Sequence, residues 1–345
     1  MNKQSILVVD YLSEPGHINS NRYFLGHISK YWQTYFLCEE KYQKDFDDIS
    51  PLRILNFSKS VTRRQTHSMF YYFGKLKQIH ELNKIVQILK PTFVLFICYE
   101  PISLQYFRYS FGEVFLFEHN NIDIIRKDWK RRLLFRFIPE RFVHISYEKY
   151  ISNFIKVHFR KRNTEIPHPY YAIGRQQTFP LDEIRSTNRE VIFAPSGSAA
   201  NIVLNELISY AKEQNEFHFV LKGELAVEND DYTIKPFYKS YAKIMSNSAY
   251  ILSTVDFEYR VSGIIYEALA MGKTVVGLDT KLHREIKGQY PNMVHIINSV
   301  EELRGLSKLL KKRNKSNILA DQKRFYDDHS NETIALALKS IFRRP

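Results

Sequence analysis

Residues 249–279, AYILSTVDFEYRVSGIIYEALAMGKTVVGLD, pass from strand to helix and back to strand. AYILSTV (249–255) reads as a strand, and DFEYRV as a polar and aromatic loop. SGIIYEALAMG (262–272) is a short helix closed by Gly272 at the C′ position, where glycine accepts a left-handed backbone. TVVGLD (274–279) is a strand again. A strand–helix–strand unit of this length builds parallel sheet.

The same rhythm extends outward in both directions. EVIFAP (190–195) and FHFVLKGE (217–224) are strands, separated by a helix with Leu204, Leu207, Ile208 and Ala211 on one stripe. Tyr238, Tyr241, Ala242 and Met245 stripe the next helix at i, i+3, i+4, i+7. Ser299 and Glu302 have the spacing of a capping box, which predicts a helix over 300–312. A final helix carries Ile334, Leu338, Ile341 and Phe342 on one face.

The first half has its own series. SILVVD (5–10), TYFLCE (34–39), RILNF (53–57), EVFLFEHNN (113–121), FVHIS (142–146) and TEIPHP (164–169) are strand candidates. PTFVLFICYE (91–100) is apolar on consecutive positions, as a strand covered on both faces must be. A long helix is predicted over 66–89. The polar stretch 171–189 separates the two series, so the chain is α/β with two consecutive domains.

Composition narrows the partners. With 345 residues, 44% hydrophobic and 25% charged, the chain is of globular type with ample length for sizeable cores. Its net charge is +13, and +10 of that falls within residues 1–170. Such a basic half favours an anionic partner. Nucleic acid is the weaker choice, because no RNP, KH, zinc or helix-turn-helix signature accompanies the charge. The two cysteines, Cys38 and Cys98, sit in apolar strand-like runs and read as buried thiols. MNKQSILVVDYL is too short for a signal-peptide core, and no apolar run approaches the ~20 residues of a membrane span. The expectation is an intracellular chain that does not cross a membrane.

Open α/β sheets place chemistry at the carboxyl ends of their strands. The first strand ends at Asp10 and leads to Gly16, where backbone amides could approach a ligand. Neither GxGxxG nor GxxxxGK[ST] occurs, which disfavours a dinucleotide-dependent dehydrogenase and a P-loop nucleotidase. FEHNN puts Glu118, His119, Asn120 and Asn121 at another strand end, with Glu100 at the end of its neighbour. In the second half, Arg260 precedes a helix that opens at Ser262 and Gly263, whose unbonded amides make an anion site. Glu267 stands in that helix among Ile264, Ile265 and Ala268. A carboxylate there either complements the helix dipole or holds a ribose by its hydroxyls. Asp45-Phe46-Asp47-Asp48, Asp231 and Asp327-Asp328 lie in loops and read as solvated turns, so no metal site is expected.

These motifs together resemble the donor-binding core of the retaining GT-B glycosyltransferases of family 4 (glycosyl transferases group 1). Glu267-Ala268-Leu269-Ala270-Met271-Gly272-Lys273-Thr274-Val275-Val276 is similar to that family's EAMAxGxPVV segment. FHFVLKGE, PFYKSYAKIMSNSAYI, Glu285-Ile286 and VHIINSVEELRGLSKLL resemble the flanking segments, and FEHNN the strand end of the N-terminal domain. The resemblance implies α/β, GT-B architecture: two Rossmann-like domains facing each other across a cleft. Their expected spans are 1–171 for an acceptor-binding domain and 172–325 for a nucleotide-sugar-binding domain, with a helix over 326–345 packing back on the first.

It also implies roles. Glu267 matches the second Glu of the E-x7-E motif and would bind the ribose. The first Glu falls at Tyr259, and Glu258, one position away, takes its place on the donor sugar. His119 matches the N-domain histidine near the anomeric centre, so His119 and Glu258 are the expected catalytic residues. The family places Arg and Lys in the loop matching 196–201, and this chain has neither there. Arg260 or Lys222 is the expected substitute on the diphosphate, assisted by amides at Ser262 and Gly263 and by backbone at Gly197 and Gly16. The reaction implied is hexosyl transfer from a nucleoside-diphosphate sugar to an acceptor hydroxyl, without metal or resident cofactor, in bacterial-type surface polysaccharide or glycolipid assembly. A nucleotide-sugar 2-epimerase of the same fold and a non-catalytic glycosyltransferase-like partner subunit remain open alternatives.

IIRKDWKRRLLFRFI (124–138) carries six basic and eight apolar residues. Ile125, Trp129, Leu133 and Phe137 form a drifting stripe, while Leu134, Phe135 and Ile138 lie elsewhere. The segment is either a core helix with solvated Lys and Arg ends or an acceptor- and membrane-facing surface presenting Trp129, Lys130, Arg131 and Arg132. The second reading resembles glycosyltransferases with lipid-linked acceptors. It implies a cytoplasmic protein, peripheral on the inner face of the cell membrane.

Overall fold

The computed structural model describes residues 4–13, 17–58, 69–118, 121–170, 189–195, 201–224, 226–306, 308 and 314–343. The chain divides into two compact units, Met1–Pro169 with Asn331–Pro345, and Tyr170–Ser330.

The first unit is built on seven strands: β1 (Ser5–Asp10), β2 (Gln33–Glu39), β3 (Arg53–Phe57), β4 (Phe93–Cys98), β5 (Glu113–Phe117), β6 (Val143–Ser146) and β7 (Arg162–Glu165). Their order is β3-β2-β1-β4-β5-β6-β7, with every pairing parallel. Ile6 pairs with Thr34 on one side and Phe93 on the other. Every residue of β4 is buried, which its unbroken apolar run foretells. Helices α1 (Ile18–Tyr31), α2 (Met69–Leu89), α3 (Pro101–Leu104), α4 (Asn121–Lys127), α5 (Trp129–Arg136) and α6 (Lys149–Phe159) supply the connections.

The second unit repeats the plan with β8 (Glu190–Ala194), α7 (Asn201–Glu213), β9 (Phe217–Lys222), β10 (Val227–Glu228), β11 (Tyr232–Lys235), α8 (Tyr241–Asn247), β12 (Tyr250–Ser253), α9 (Gly263–Ala270), β13 (Thr274–Leu278), α10 (Lys281–Gln289), β14 (Val294–Ile297) and α11 (Lys315–Asp328). The strand order is β10-β11-β9-β8-β12-β13-β14, and only the edge pair β10–β11 is antiparallel. The last helix, α12 (Asn331–Ile341), belongs to the first unit. Beyond it, buried Phe342 lies edge-on to Trp32 and Phe115 and tilted on Phe93, with ring centroids 4.9–5.5 Å apart. Tyr23 of α1 donates to Asn331 Oδ1 at 2.7 Å.

Two local expectations need correction. Val300–Leu303 is a 3₁₀ turn, and Ser299 makes no side-chain cap. Glu302 instead accepts from the Asn298 amide (3.1 Å) and Asn298 Nδ2 (2.9 Å), so the capping-box partner is spent one residue too early. Residues 307 and 309–312 of the predicted helix lie outside the described ones. Similarly, 124–138 is not a single helix. Asp128 caps α5 by accepting from the amides of Lys130 (2.9 Å) and Arg131 (3.3 Å), and α4 ends at Lys127.

Candidate functional site

In the second sheet the chain runs from β8 outward to β9 on one side and later to β12 on the other. That reversal is a topological switch point, where loops after adjacent strands diverge and leave a crevice at their carboxyl ends. The loop after β8 includes Gly197, which lies outside the described residues. The loop after β12 runs over 254–262 and carries Glu258, Tyr259, Arg260 and Ser262, ending at α9. Lys222 is exposed at the carboxyl end of β9, two strands away from β12.

Ser262 is the N-cap of α9, but its hydroxyl makes no capping bond, and no acidic residue stands in the first turn. The amides at Gly263 and Ile264 therefore have neither a side-chain cap nor a local carboxylate to compensate the positive end of the helix. Such an end accepts anions. Arg260 is half-buried two residues before the cap, its guanidinium 4.4 Å from the Phe257 ring centroid. Lys281, the first residue of α10, donates to the Tyr259 hydroxyl at 3.1 Å and lies 4.7 Å from that ring, which ties the loop to the next helix. Thr254 at the loop's start is buried, and its hydroxyl has no partner among the described residues.

Glu267 is half-buried, one turn into α9. Tyr241, at the start of α8, donates its hydroxyl to Glu267 Oε2 at 3.1 Å. Burial pushes the Glu267 carboxyl up from 4.5 to about 7, and the Tyr241 bond acts in the opposite direction. Burial, then the Glu267 charge, pushes the Tyr241 hydroxyl well above its ordinary value. A dipole-compensating glutamate would sit exposed in the first turn with its pKa lowered. Glu267 is partly desolvated, so the dipole explanation is the poorer one.

The anchor of the loop lies behind it. His283 of α10 is fully buried, with Nδ1 2.8 Å from Thr280 Oγ1 and Nε2 2.9 Å from Ser253 Oγ, the last residue of β12. Burial pushes this histidine down to about 4. Gly277 of β13 is required beside it, since a Cβ there would stand 2.3 Å from His283 Cδ2.

The first sheet has its own switch point, between β1 and β4. Asp10 ends β1, buried, and accepts from the Ser13 amide (2.8 Å) and Asn21 Nδ2 (2.7 Å). Lys75 of α2 is 1% exposed and donates to the Tyr11 carbonyl (2.6 Å) and Gln78 Oε1 (2.9 Å). Burial lowers its pKa to about 8 against the opposing pull of Glu39, Asp10 and Glu100. Motif reading passed over Lys75, although it falls on the buried stripe with Ile79, Leu82 and Val86, at offsets of four, seven and eleven. Glu100 caps α3 by accepting from the Ser103 amide at 3.0 Å, and burial raises its pKa.

Gly16, His119 and Asn120 lie outside the described residues. Glu118, immediately before His119, is buried; its Oε1 accepts from the Tyr99 hydroxyl and lies near His144 Nδ1, both at 2.6 Å. On α5 and the two residues after it, Trp129 and Phe137 are 68% and 65% exposed, while Phe135 and Ile138 are buried. The predicted stripe is thus split: Ile125 joins the core, and Trp129, Leu133 and Phe137 face solvent with Lys130 and Arg132. Arg131 is half-buried and reaches Asp128 at 3.6 Å. Among the described residues no helix is long and apolar enough to cross a membrane. The Asp45–Asp48 stretch follows a 3₁₀ turn over Glu40–Asp45, and Asp48 pairs with both terminal nitrogens of Arg22, at 2.6 and 2.7 Å.

No protein-family model matches the chain, and no curated protein does. Solved structures do match along nearly its whole length. Sucrose-phosphate synthase from Thermosynechococcus elongatus aligns over 99% of this chain and 98% of its own, at TM-score 0.72 and 10% identity. A glycosyltransferase from Rickettsia africae gives the same coverage at TM-score 0.68 and 11% identity. The Anabaena protein HepE, solved in complex with UDP-glucose, aligns over 97% of this chain and 99% of its own, at TM-score 0.66 and 12% identity. At such identities the likeness is one of fold. The fold is GT-B, the α/β architecture of two Rossmann-like units that these glycosyltransferases share.

Proposed function

We propose that this chain is a glycosyltransferase, of the family 4 type, that moves a hexosyl group from a nucleoside-diphosphate sugar to an acceptor hydroxyl. The observation that carries the reading is Glu267: a half-buried carboxylate just inside the uncapped head of α9, in the helix that leaves the switch point. In this reading Glu267 accepts from the ribose hydroxyls. Arg260, with Lys222 in reserve, and the α9 amides hold the diphosphate and stabilise the charge that grows on it as the glycosidic bond breaks. Glu258 holds sugar hydroxyls, and His119 assists at the anomeric centre. Retention of configuration, independence of metal and a place in surface polysaccharide or glycolipid assembly complete the proposal.

A thermal-shift screen against UDP, GDP, dTDP, CMP and their sugar conjugates tests it, because a ligand that binds the folded state raises its melting temperature. One nucleoside diphosphate should stand out, and its sugar conjugate should be consumed faster with a carbohydrate acceptor present. A solved structure described as a UDP-N-acetylglucosamine 2-epimerase from Listeria monocytogenes also aligns, at TM-score 0.61 and 14% identity over 100% and 99% of the chains. Conversion of the donor to its 2-epimer without acceptor would favour that chemistry. No shift with any nucleotide would favour a non-catalytic partner subunit.

The acceptor side in this proposal includes an anionic membrane surface met by α5. Exposed Trp129, Leu133 and Phe137 are interleaved there with exposed Lys130, Arg132 and Arg136. Vesicles containing phosphatidylglycerol should carry the protein in flotation at low salt and release it at high salt. Trp129→Ala with Phe137→Ala should abolish flotation; binding unchanged by that pair would refute this part.

A further inference from the structure

The carboxylate of Glu267 has two oxygens, and the structure gives them different surroundings. Oε2 is taken by the Tyr241 hydroxyl at 3.1 Å, whereas Oε1 has no hydrogen-bond partner among the described residues. Tyr241 is itself fixed from the other side, its ring edge-on to Phe193 of β8 with centroids 5.6 Å apart. Phe193 precedes the end of the strand that borders the switch point, so the ring pair joins β8 to α8 and the Tyr241–Glu267 bond joins α8 to α9. A glutamate side chain has three rotatable bonds and loses rotamer freedom when it is fixed. A second-element anchor spends that entropy before any ligand arrives, which is preorganisation.

We propose that Tyr241 is a positioning residue: it holds Glu267 by Oε2 so that Oε1 is presented to a ribose hydroxyl, and thereby sets the site's preference for ribonucleotides. This rests on the donor-site reading of Glu267. It assigns the tyrosine hydroxyl no contact with the ligand. It also predicts a specific dependence on pH. The ionised carboxylate accepts through one oxygen from Tyr241 and through the other from the ribose, whereas protonation turns one of those oxygens into a donor; burial holds the pKa at about 7. The groups acting on that titration are burial itself and the Tyr241 hydroxyl, which favours the charged form. Affinity therefore rises with pH through the neutral range. Removing the hydroxyl raises the Glu267 pKa further and moves the rise to higher pH.

The test is isothermal titration of the wild type, Tyr241→Phe and Glu267→Gln with UDP and GDP, and with the 2′-deoxy form of whichever binds, from pH 5.5 to 8.5. Titration of the diphosphate itself cancels in the comparison with Glu267→Gln, which has no carboxyl to ionise. Tyr241→Phe keeps the ring against Phe193 and should weaken the ribonucleotide by about three- to tenfold, the scale of one hydrogen bond. It should weaken the deoxy form less, and shift the midpoint of the pH rise upward. A tyrosine that merely packs would leave both the midpoint and the ribo/deoxy ratio unmoved. If Glu267→Gln weakens binding while Tyr241→Phe matches the wild type in affinity ratio and midpoint, the inference is wrong and the donor-site reading survives. If Glu267→Gln binds as the wild type does, or no nucleotide of the thermal-shift panel binds, the donor-site reading fails and takes this inference with it.

Discussion

Acidification should loosen the second unit at one residue, His283. Its imidazole is fully buried, hydrogen-bonded through both nitrogens, and pushed down to about 4 from an ordinary 6.5. Burial is the main cause; the Leu278 carbonyl and the Asp279 charge pull weakly the other way. Below about pH 4 the folded and unfolded chains are both protonated here, and above 6.5 neither is. Between those limits the unfolded chain binds a proton that the folded one refuses, so stability rises with pH. That gap between 6.5 and about 4, at about 1.4 kcal/mol for each unit of pH, corresponds to about 3–4 kcal/mol lost as the pH falls through it. Both tryptophans, Trp32 and Trp129, belong to the first unit, so fluorescence would report the wrong half of the molecule. Amide hydrogen exchange of β12 and β13 reads the local opening energy directly. His283→Gln cannot take up the proton, and the comparison at each pH cancels intrinsic exchange and the titration of carboxylates elsewhere. The wild type should exceed the variant above pH 6.5, and that margin should shrink by about 3–4 kcal/mol towards pH 4. A margin constant with pH would show that His283 carries no unusual proton linkage. Because Ser253 ends the strand from which the 254–262 loop departs, loosening there should reach the candidate site as well.

Three further outcomes are expected. Gly277→Ala places a methyl 2.3–2.6 Å from His283 ring atoms that two hydrogen bonds hold in place. The overpacking should cost about 1–3 kcal/mol in the same exchange measurement, and no change would show that the ring can step aside. Phe342→Ala removes a buried ring from Trp32, Phe93 and Phe115, and urea unfolding followed by tryptophan fluorescence should register about 3–5 kcal/mol. A loss below about 1 kcal/mol would mean that α12 contributes little to the first unit. Arg260→Ala should weaken a nucleoside diphosphate by about 1.5–3 kcal/mol while leaving the free nucleoside nearly unaffected. Equal weakening of both would remove Arg260 from the phosphates.

The parts of this protein legible in the sequence are those that depend on neighbours along the chain. The consecutive apolar run of β4 declared a strand covered on both faces, and the alternation of strands with helices declared parallel sheets. Glu267 could be singled out because a carboxylate among Ile264, Ile265 and Ala268 contradicts its local pattern. The β10–β11 ribbon escaped notice because its strands are only two and four residues long: β10 is an exposed edge, and β11, although buried, is too short to show a period. Asp128 likewise hid a helix break inside a continuous basic and apolar run.

What the tertiary structure alone decided is which distant side chains meet. Tyr241 lies 26 residues from Glu267, Ser253 lies 30 from His283, and Lys75 lies 64 from the Tyr11 carbonyl. Burial, not residue type, then set the chemistry: it moved a glutamate up to about 7, a histidine down to about 4 and a lysine down to about 8. Periodicity records which face of an element turns inward. The desolvation and the partner that give an inward group its proton affinity come from other elements, and those are brought together only when the sheets and helices pack.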